Sequence, residues 1–311
     1  MLIHYDDAFA TMLLTLRLSP DNAVRPLTPR EFHRVNKKIT YPGRLLGLNV
    51  DDVARELGEK EEFAYRVVSL MSRMVPLSLL LEQCQASGLE AIALCEEYYP
   101  MRLWTRLGND APPVLFSCGN LELLKERGAA ALGVSAKRDF THEAREFAHL
   151  AAENQVVVCT DGSEGLGETF QRAADEADGR VISFLAEPLL QRVYQPGFAE
   201  MIATGRALAL SAREPEEPFD PGRARERGMC LCALSDFAAL YCLERTEGPL
   251  WDAASTALSI KAVPRLHVRA EEGLSGNTAL ISRGALPFHR TSELPFSRPE
   301  MVDGYQLSFL S

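Results

Sequence analysis

With 311 residues, 46% of them hydrophobic, the chain is long enough for a full core in one large domain or two. No run of about 18 or more apolar residues occurs, which argues against a membrane span. A formal net charge of −10 argues against binding nucleic acid by bulk electrostatics, though it leaves room for a local basic patch. Met1 to Asp7 lack a basic region followed by an apolar stretch, so a secretory signal is not expected and a cytoplasmic location is. The seven cysteines are odd in number and contain no Cys-x-x-Cys pair, which fits buried reduced thiols rather than a disulfide or zinc framework.

Residues 8–18 form a mostly apolar run. Thr28-Pro-Arg-Glu31 predicts a helix start, with Thr28 as N-cap, Pro29 in the first turn and Glu31 completing a capping box. Residues 51–57 are amphipathic. Residues 61–74 and 77–86 carry apolar side chains at three-and-four spacing, with Gly88 as a stop. Residues 1–90 therefore read as a small helical domain whose residue types do not point to catalysis.

The pattern then changes. Residues 91–95 suit a strand, Tyr99-Pro100 ends it, and 101–107 turn helical. Pro112-Pro113 precedes a strand over 114–118. Strands at 129–135, 155–160, 180–185, 206–211, 238–242 and 265–268 then alternate with helices. These helices fall at 141–153 (capped by Thr141), 167–177, 196–204, 225–234 and 250–259. Such alternation predicts right-handed β-α-β units and an α/β, Rossmann-like, doubly wound parallel sheet over 91–270. Residues 214–222, rich in Pro and Glu, read as a surface connection. Residues 271–311 lack clear periodicity and are expected to run extended or packed along the surface.

In an open parallel sheet, ligands sit beyond the carboxyl ends of the strands. Asp161-Gly-Ser-Glu-Gly-Leu-Gly167 follows a strand and opens a helix. Gly162, Gly165 and Gly167 permit sharp turning and close approach, and Ser163 sits among them. There is no Walker lysine, and Asp161 and Glu164 oppose an anion, so this is either a ligand-facing loop or a tight structural turn. In the loop after residue 134, Ser135 can donate a hydrogen bond, and Lys137 and Arg138 suit phosphate, unless they form a solvated basic turn. Arg223, Arg225 and Arg227 stand near a helix start, where they suit either a sugar–phosphate backbone or surface ion pairs. Gly248, before Pro249, allows close backbone approach. The six histidines form no metal-spaced cluster; His142 and His149 share one helix face and read as solvated. No Gly-x-Ser-x-Gly elbow exists. Neither metal nor cofactor is expected.

Taken in order, these segments resemble the DNA-processing protein A (DprA, also called Smf) family. Tyr99-Pro-Met-Arg-Leu103 is similar to the family's Tyr-Pro-x-Arg-Leu. Pro112-Pro-Val-Leu-Phe-Ser-Cys-Gly-Asn120 is similar to its Pro-Pro-x-Leu segment. Leu234-Ser-Asp236 and Glu244 fall where the family has Leu-Ser-Asp and a glutamate. Other motifs are altered. Val-Gly-Ser-Arg becomes Val134-Ser-Ala-Lys137, Gly167 and Gln171 take the places of an Asp and a His, and Ser-Gly-x-Leu-x-Thr-Ala becomes Glu247-Gly-Pro-Leu-Trp-Asp-Ala253. Pro221-Gly-Arg-Ala-Arg225 matches Pro-x-Arg-Asn-Arg with about one extra helical turn before Leu234; aligned backwards from Leu234, only Arg227 remains.

The resemblance implies a non-enzymatic, usually dimeric protein that binds single-stranded DNA in a basic pocket and loads a RecA-type recombinase during DNA uptake and recombination. It implies phosphate contacts from Lys137, Arg223 and Arg225, with Gly165 and Gly248 keeping backbone approach. It also implies that the helical domain of residues 1–90 is SAM-like, and so short a tail as residues 271–311 is not expected to hold the full winged helix that many members carry. Two alternatives stay open. One is a nucleotide-sensing module of the wider SLOG superfamily, although Glu247-Gly-Pro-Leu-Trp-Asp252 does not supply that superfamily's catalytic motif. The other is a scaffold that kept the fold and lost the ligand.

Overall fold

The computed structural model describes residues 2–18, 24–134, 138–219 and 221–297. Five helices come first: α1 (Leu2–Thr15), α2 (Pro29–Ile39), α3 (Val50–Leu57), α4 (Glu61–Met71) and α5 (Met74–Ala86). The capping box of α2 forms as its residues dictate. Thr28 Oγ1 accepts from the Glu31 amide at 3.3 Å, and Glu31 Oε2 accepts from the Thr28 amide at 2.8 Å. Asn49 caps α3 through Asp52 N at 2.9 Å, and Gly58 ends that helix in the left-handed region.

After β1 (Glu90–Ala93), α6 (Met101–Leu107), β2 (Val114–Gly119) and β3 (Gly128–Gly133), strands and helices alternate. They are α7 (Thr141–Glu153), β4 (Val157–Thr160), α8 (Leu166–Glu176), β5 (Val181–Leu185), α9 (Leu189–Val193), α10 (Phe198–Ala203), β6 (Ala207–Ser211), α11 (Pro221–Leu234), β7 (Phe237–Cys242), α12 (Pro249–Ser259) and β8 (Leu266–Arg269). The nine-stranded sheet, which ends on β9 (Leu286–Phe288), has the order β1-β2-β6-β5-β4-β3-β7-β8-β9. Every neighbouring pair from β6 to β9 is parallel, whereas β2 runs antiparallel to both β1 and β6. The fold is the expected Rossmann-like one, with an antiparallel strand added on one side. Chain order reverses between β3 and β7, which makes their carboxyl ends the switch point of the sheet.

The central strands β3 to β7 are buried on both faces, so their side chains divide by parity. Ala129 and Ala131 of β3 and Phe237, Ala239 and Tyr241 of β7 join one apolar cluster; Ala130, Leu132, Ala238 and Leu240 join the other. The first cluster also takes in Leu13 and Leu14 of α1, Phe32 of α2 and Val67 of α4, so the helical region and one face of the sheet share a core. No single helix among the described residues is long and apolar enough to cross a membrane.

Three local expectations need correction. Thr141 does not cap α7 with its side chain; Asp139 Oδ1 accepts from the Thr141 amide at 2.9 Å and from its hydroxyl at 2.6 Å. The short helix α9 lies where the sequence showed none. The tail after residue 270 is not merely extended: α13 (Ser275–Ser282) and β9 (Leu286–Phe288) continue the alternation, and β9 pairs parallel with β8. Pro287 sits at the middle of this border strand. Phe296, beyond it, packs edge-on to Phe147 and Phe237, with centroids 4.8 and 5.1 Å away.

Candidate nucleic-acid interface

The segments that carry the family resemblance brace one another. Tyr99 Oη donates to Pro112 O at 2.7 Å within the core. Arg102 Nη1 donates to Leu234 O at 2.6 Å, and Asp236 Oδ2 accepts from the Gly128 amide at 2.9 Å. Gly119, at φ +112, brings its α-carbon so close to the next strand that a Cβ would fall 2.3 Å from Ala207 O. These residues are the fold's fasteners and lie apart from the carboxyl rim of the sheet.

At the rim, the loop between β4 and α8 closes on itself. Gly162 and Gly165 have positive φ, and Ser163 N donates to Asp161 Oδ1 at 3.1 Å. Thr160 Oγ1 donates to Gly167 O at 3.1 Å. Gly167 has no room for a side chain, because a Cβ would meet Asp161 Oδ1 at 2.0 Å. Gly165 is exposed; Gly162 is buried against Leu185, Arg192 and Gln171. Gln171, at the family's histidine position, accepts through Oε1 from Ser183 Oγ at 3.1 Å and Arg192 Nη2 at 3.0 Å. Burial lowers the pKa of Arg192. Its Nε is buried without a hydrogen-bond partner among the described residues. The adjoining cleft, of about 450 Å³, is lined by Ser163, Glu164, Glu168, Glu187, Arg192 and Gln195 among others, so carboxylates outnumber the one guanidinium.

The three arginines of α11 diverge. Arg223 is buried and pairs with Glu217, with its pKa lowered by burial. Arg227 bridges two loops, reaching Asp161 Oδ2 at 3.0 Å and Glu187 Oε1 at 3.1 Å. Arg225 is exposed and donates to Thr256 Oγ1 at 3.3 Å. Arg138 pairs with Glu271, whose other oxygen holds Arg269 Nε at 3.1 Å. Ser135 and Lys137 lie outside the described residues. Gly248, at φ +98, is exposed with open space around it. The geometry thus gathers Gly162, Ser163, Gly167 and Arg227 around Asp161, turns Arg223 inward to Glu217, and leaves Arg225 exposed on α11 beside Thr256 of α12. Between β3, α11 and α12, a cavity of about 110 Å³ is lined by Leu132, Asp161, Arg227 and Leu250 among others.

The sequence missed Asn277 of α13. Fully buried, it accepts from Leu243 N at 2.8 Å and donates to Tyr241 O and Arg269 O at 3.2 and 2.8 Å. It fastens the loop leading to Gly248; with no periodicity read in residues 271–311, the sequence held no signal that marked it. The thiols of Cys84 and Cys159 are pushed up to about 11 and that of Cys232 to about 12 by burial, so they stay protonated near neutral pH. His142 and His149 are exposed. Among the described residues, no three of His, Cys, Asp or Glu gather as metal ligands do.

Comparison with known proteins places these features in context. The family profile described as DNA recombination-mediator protein A matches residues 90–295. No curated protein matches the sequence. Among solved structures, the chain resembles DNA processing protein A from Streptococcus pneumoniae at 19% identity and a TM-score of 0.63, covering 86% of this chain and 96% of that one. It also resembles the Helicobacter pylori protein, described for its single-stranded DNA binding mode, at 20% identity and a TM-score of 0.55, covering 67% of this chain and 94% of that one. At such identities the likeness is one of fold.

Proposed function

Since the chain belongs to the DNA recombination-mediator protein A family, we propose that it binds single-stranded DNA without catalysis at the carboxyl rim between β3 and β7. The observation that carries the reading is the opening of the rim at this switch point: Gly165 and Gly248 are exposed with positive φ, and Arg225 is exposed on the neighbouring helix. The single-stranded DNA binding of the H. pylori relative supports it. Many of the rim's cations are shared with carboxylates, so DNA competes with ion pairs, and affinity is expected to fall steeply with salt. Lys137 belongs to the same proposal as a phosphate contact. Delivery of the strand to a RecA-type recombinase, a homodimer and a cytoplasmic location complete it.

Fluorescence anisotropy with a labelled oligothymidine tests the reading. Binding at low salt is expected, weakened about tenfold by Arg225→Ala without loss of thermal stability. A folded protein that leaves the oligonucleotide free at low salt would overturn it. A second reading, a scaffold without ligand, is favoured by the pairing of Arg223, Arg227 and Arg138 with acids. The same titration separates the two. The small cavity and the acid-lined cleft speak against a mononucleotide sensor.

A further inference from the structure

Although the chain as a whole is acidic, one helix carries the opposite charge on its open side. Arg30, Arg34, Lys37 and Lys38 of α2 recur at helical spacing and are exposed or half-exposed. They line an open cleft of about 490 Å³ together with Glu31 and Asn109. Arg25 and Arg66 join them by flanking Glu31 at 3.0 and 2.9 Å. The carboxylates in direct contact are Glu31, Glu59 and Asp110, so six cations face three acids.

The groups of α2 are presented rather than folded away. Arg34 is exposed and holds its guanidinium over the Phe63 ring at 5.2 Å, whereas Arg66 is mostly buried and anchors the row from behind through Glu31 and the Arg25 and Pro26 carbonyls. Among the described residues, Lys37 has a neutral partner, Asn109 Oδ1 at 2.9 Å. Arg34 meets Glu59 at a loose 3.6 Å. Tyr41, half-exposed, follows the helix directly. From Arg30 to Lys38 the row extends about 12 Å. It converges on no single point, which suits successive phosphates along a chain better than one compact anion. The row also leads toward the sheet. Arg30 grips Asp110 through two bonds, at 2.6 and 2.9 Å, and Asp110 feels the charge of Arg225 on α11 as well, so its carboxyl is held below the ordinary range first by Arg30 and also by Arg225.

We propose that this flank of α2 is a second contact for the phosphodiester backbone of a single strand whose neighbouring segment occupies the carboxyl rim. The inference rests on the reading of the chain as a single-strand binder, and oligonucleotide length separates the two claims. Oligothymidines of about 6 and about 30 nucleotides are titrated against the full chain and against Arg34→Glu/Lys37→Glu, with Arg34→Gln/Lys37→Gln as the milder pair should charge reversal impair folding. The expected result is unchanged binding of the short strand and about tenfold weaker binding of the long one. The long strand's log–log salt slope becomes shallower by about 1.4, the share of two single-strand phosphate contacts. Equal affinity of wild type and both variants for the long strand overturns the inference and leaves the flank to an acidic protein partner. Equal weakening on both strands also overturns it. A wild type that binds neither strand removes the underlying reading.

Discussion

At Gly167 a single methyl group decides how the candidate loop closes, because the space a Cβ needs is held by the carboxylate of Asp161. Gly167→Ala is therefore expected to push Asp161 aside, to loosen its bridge to Arg227 and to destabilise the protein by about 2 kcal/mol, read as a lower urea midpoint. An unchanged midpoint would show that the loop yields without cost. Glu31 gives a pH-dependent prediction. Its hydrogen bonds from the Arg66 guanidinium hold the carboxyl at about 2, against an ordinary 4.5. Because the folded value is the lower one, the stabilisation is complete above pH 4.5 and is lost as pH falls toward 2. Glu31→Gln keeps a capping residue and removes the charge. The stability gap between wild type and variant should be full at neutral pH and close across that acid range. A gap independent of pH would refute the charge argument. The glycines and arginines at the rim were legible in the sequence as residue types. Their partners were not: Arg227 meets Glu187 across 40 residues and Arg17 meets Glu217 across 200, distances at which no local pattern survives.

Among the elements, α6 and α7 match their sequence expectations residue for residue, because Tyr99-Pro100 before α6 and apolar periodicity within α7 mark them. The buried strands were legible as short apolar runs between turns. The antiparallel direction of β2 was not, since a fully buried strand reads the same either way. The helix α13 escaped because its sequence, Ser-Gly-Asn-Thr-Ala-Leu-Ile-Ser, opens on four residues that favour turns, and its stability comes from contacts rather than propensity. Asn277→Ala tests this. Removing it takes the side-chain acceptor from one buried amide and a side-chain donor from each of two carbonyls, a loss of about 3 kcal/mol by chemical denaturation. A change below about 1 kcal/mol would mean that water replaces the side chain there.

Taken whole, the molecule has a boundary near residue 90 in texture but not in core. His33 of α2 meets Ala111 O at 2.8 Å and lies against the Trp104 ring at 4.4 Å, while α1 and α4 contribute to the apolar cluster on the sheet. Calorimetry is expected to show one cooperative transition, because unfolding the helices alone would expose the sheet face they cover. Two separated transitions would restore an autonomous helical domain. The border strand β9 has a further consequence. Phe288 O accepts from Ala270 N at 2.8 Å, so the main-chain groups of Phe288 point inward toward β8 and those of Pro287 point outward. Pro287, an imino acid, puts no N–H at the centre of that outer border. Strand-by-strand polymerisation from this side therefore finds a carbonyl acceptor but no N–H donor at Pro287, which weakens the pairing at its first step.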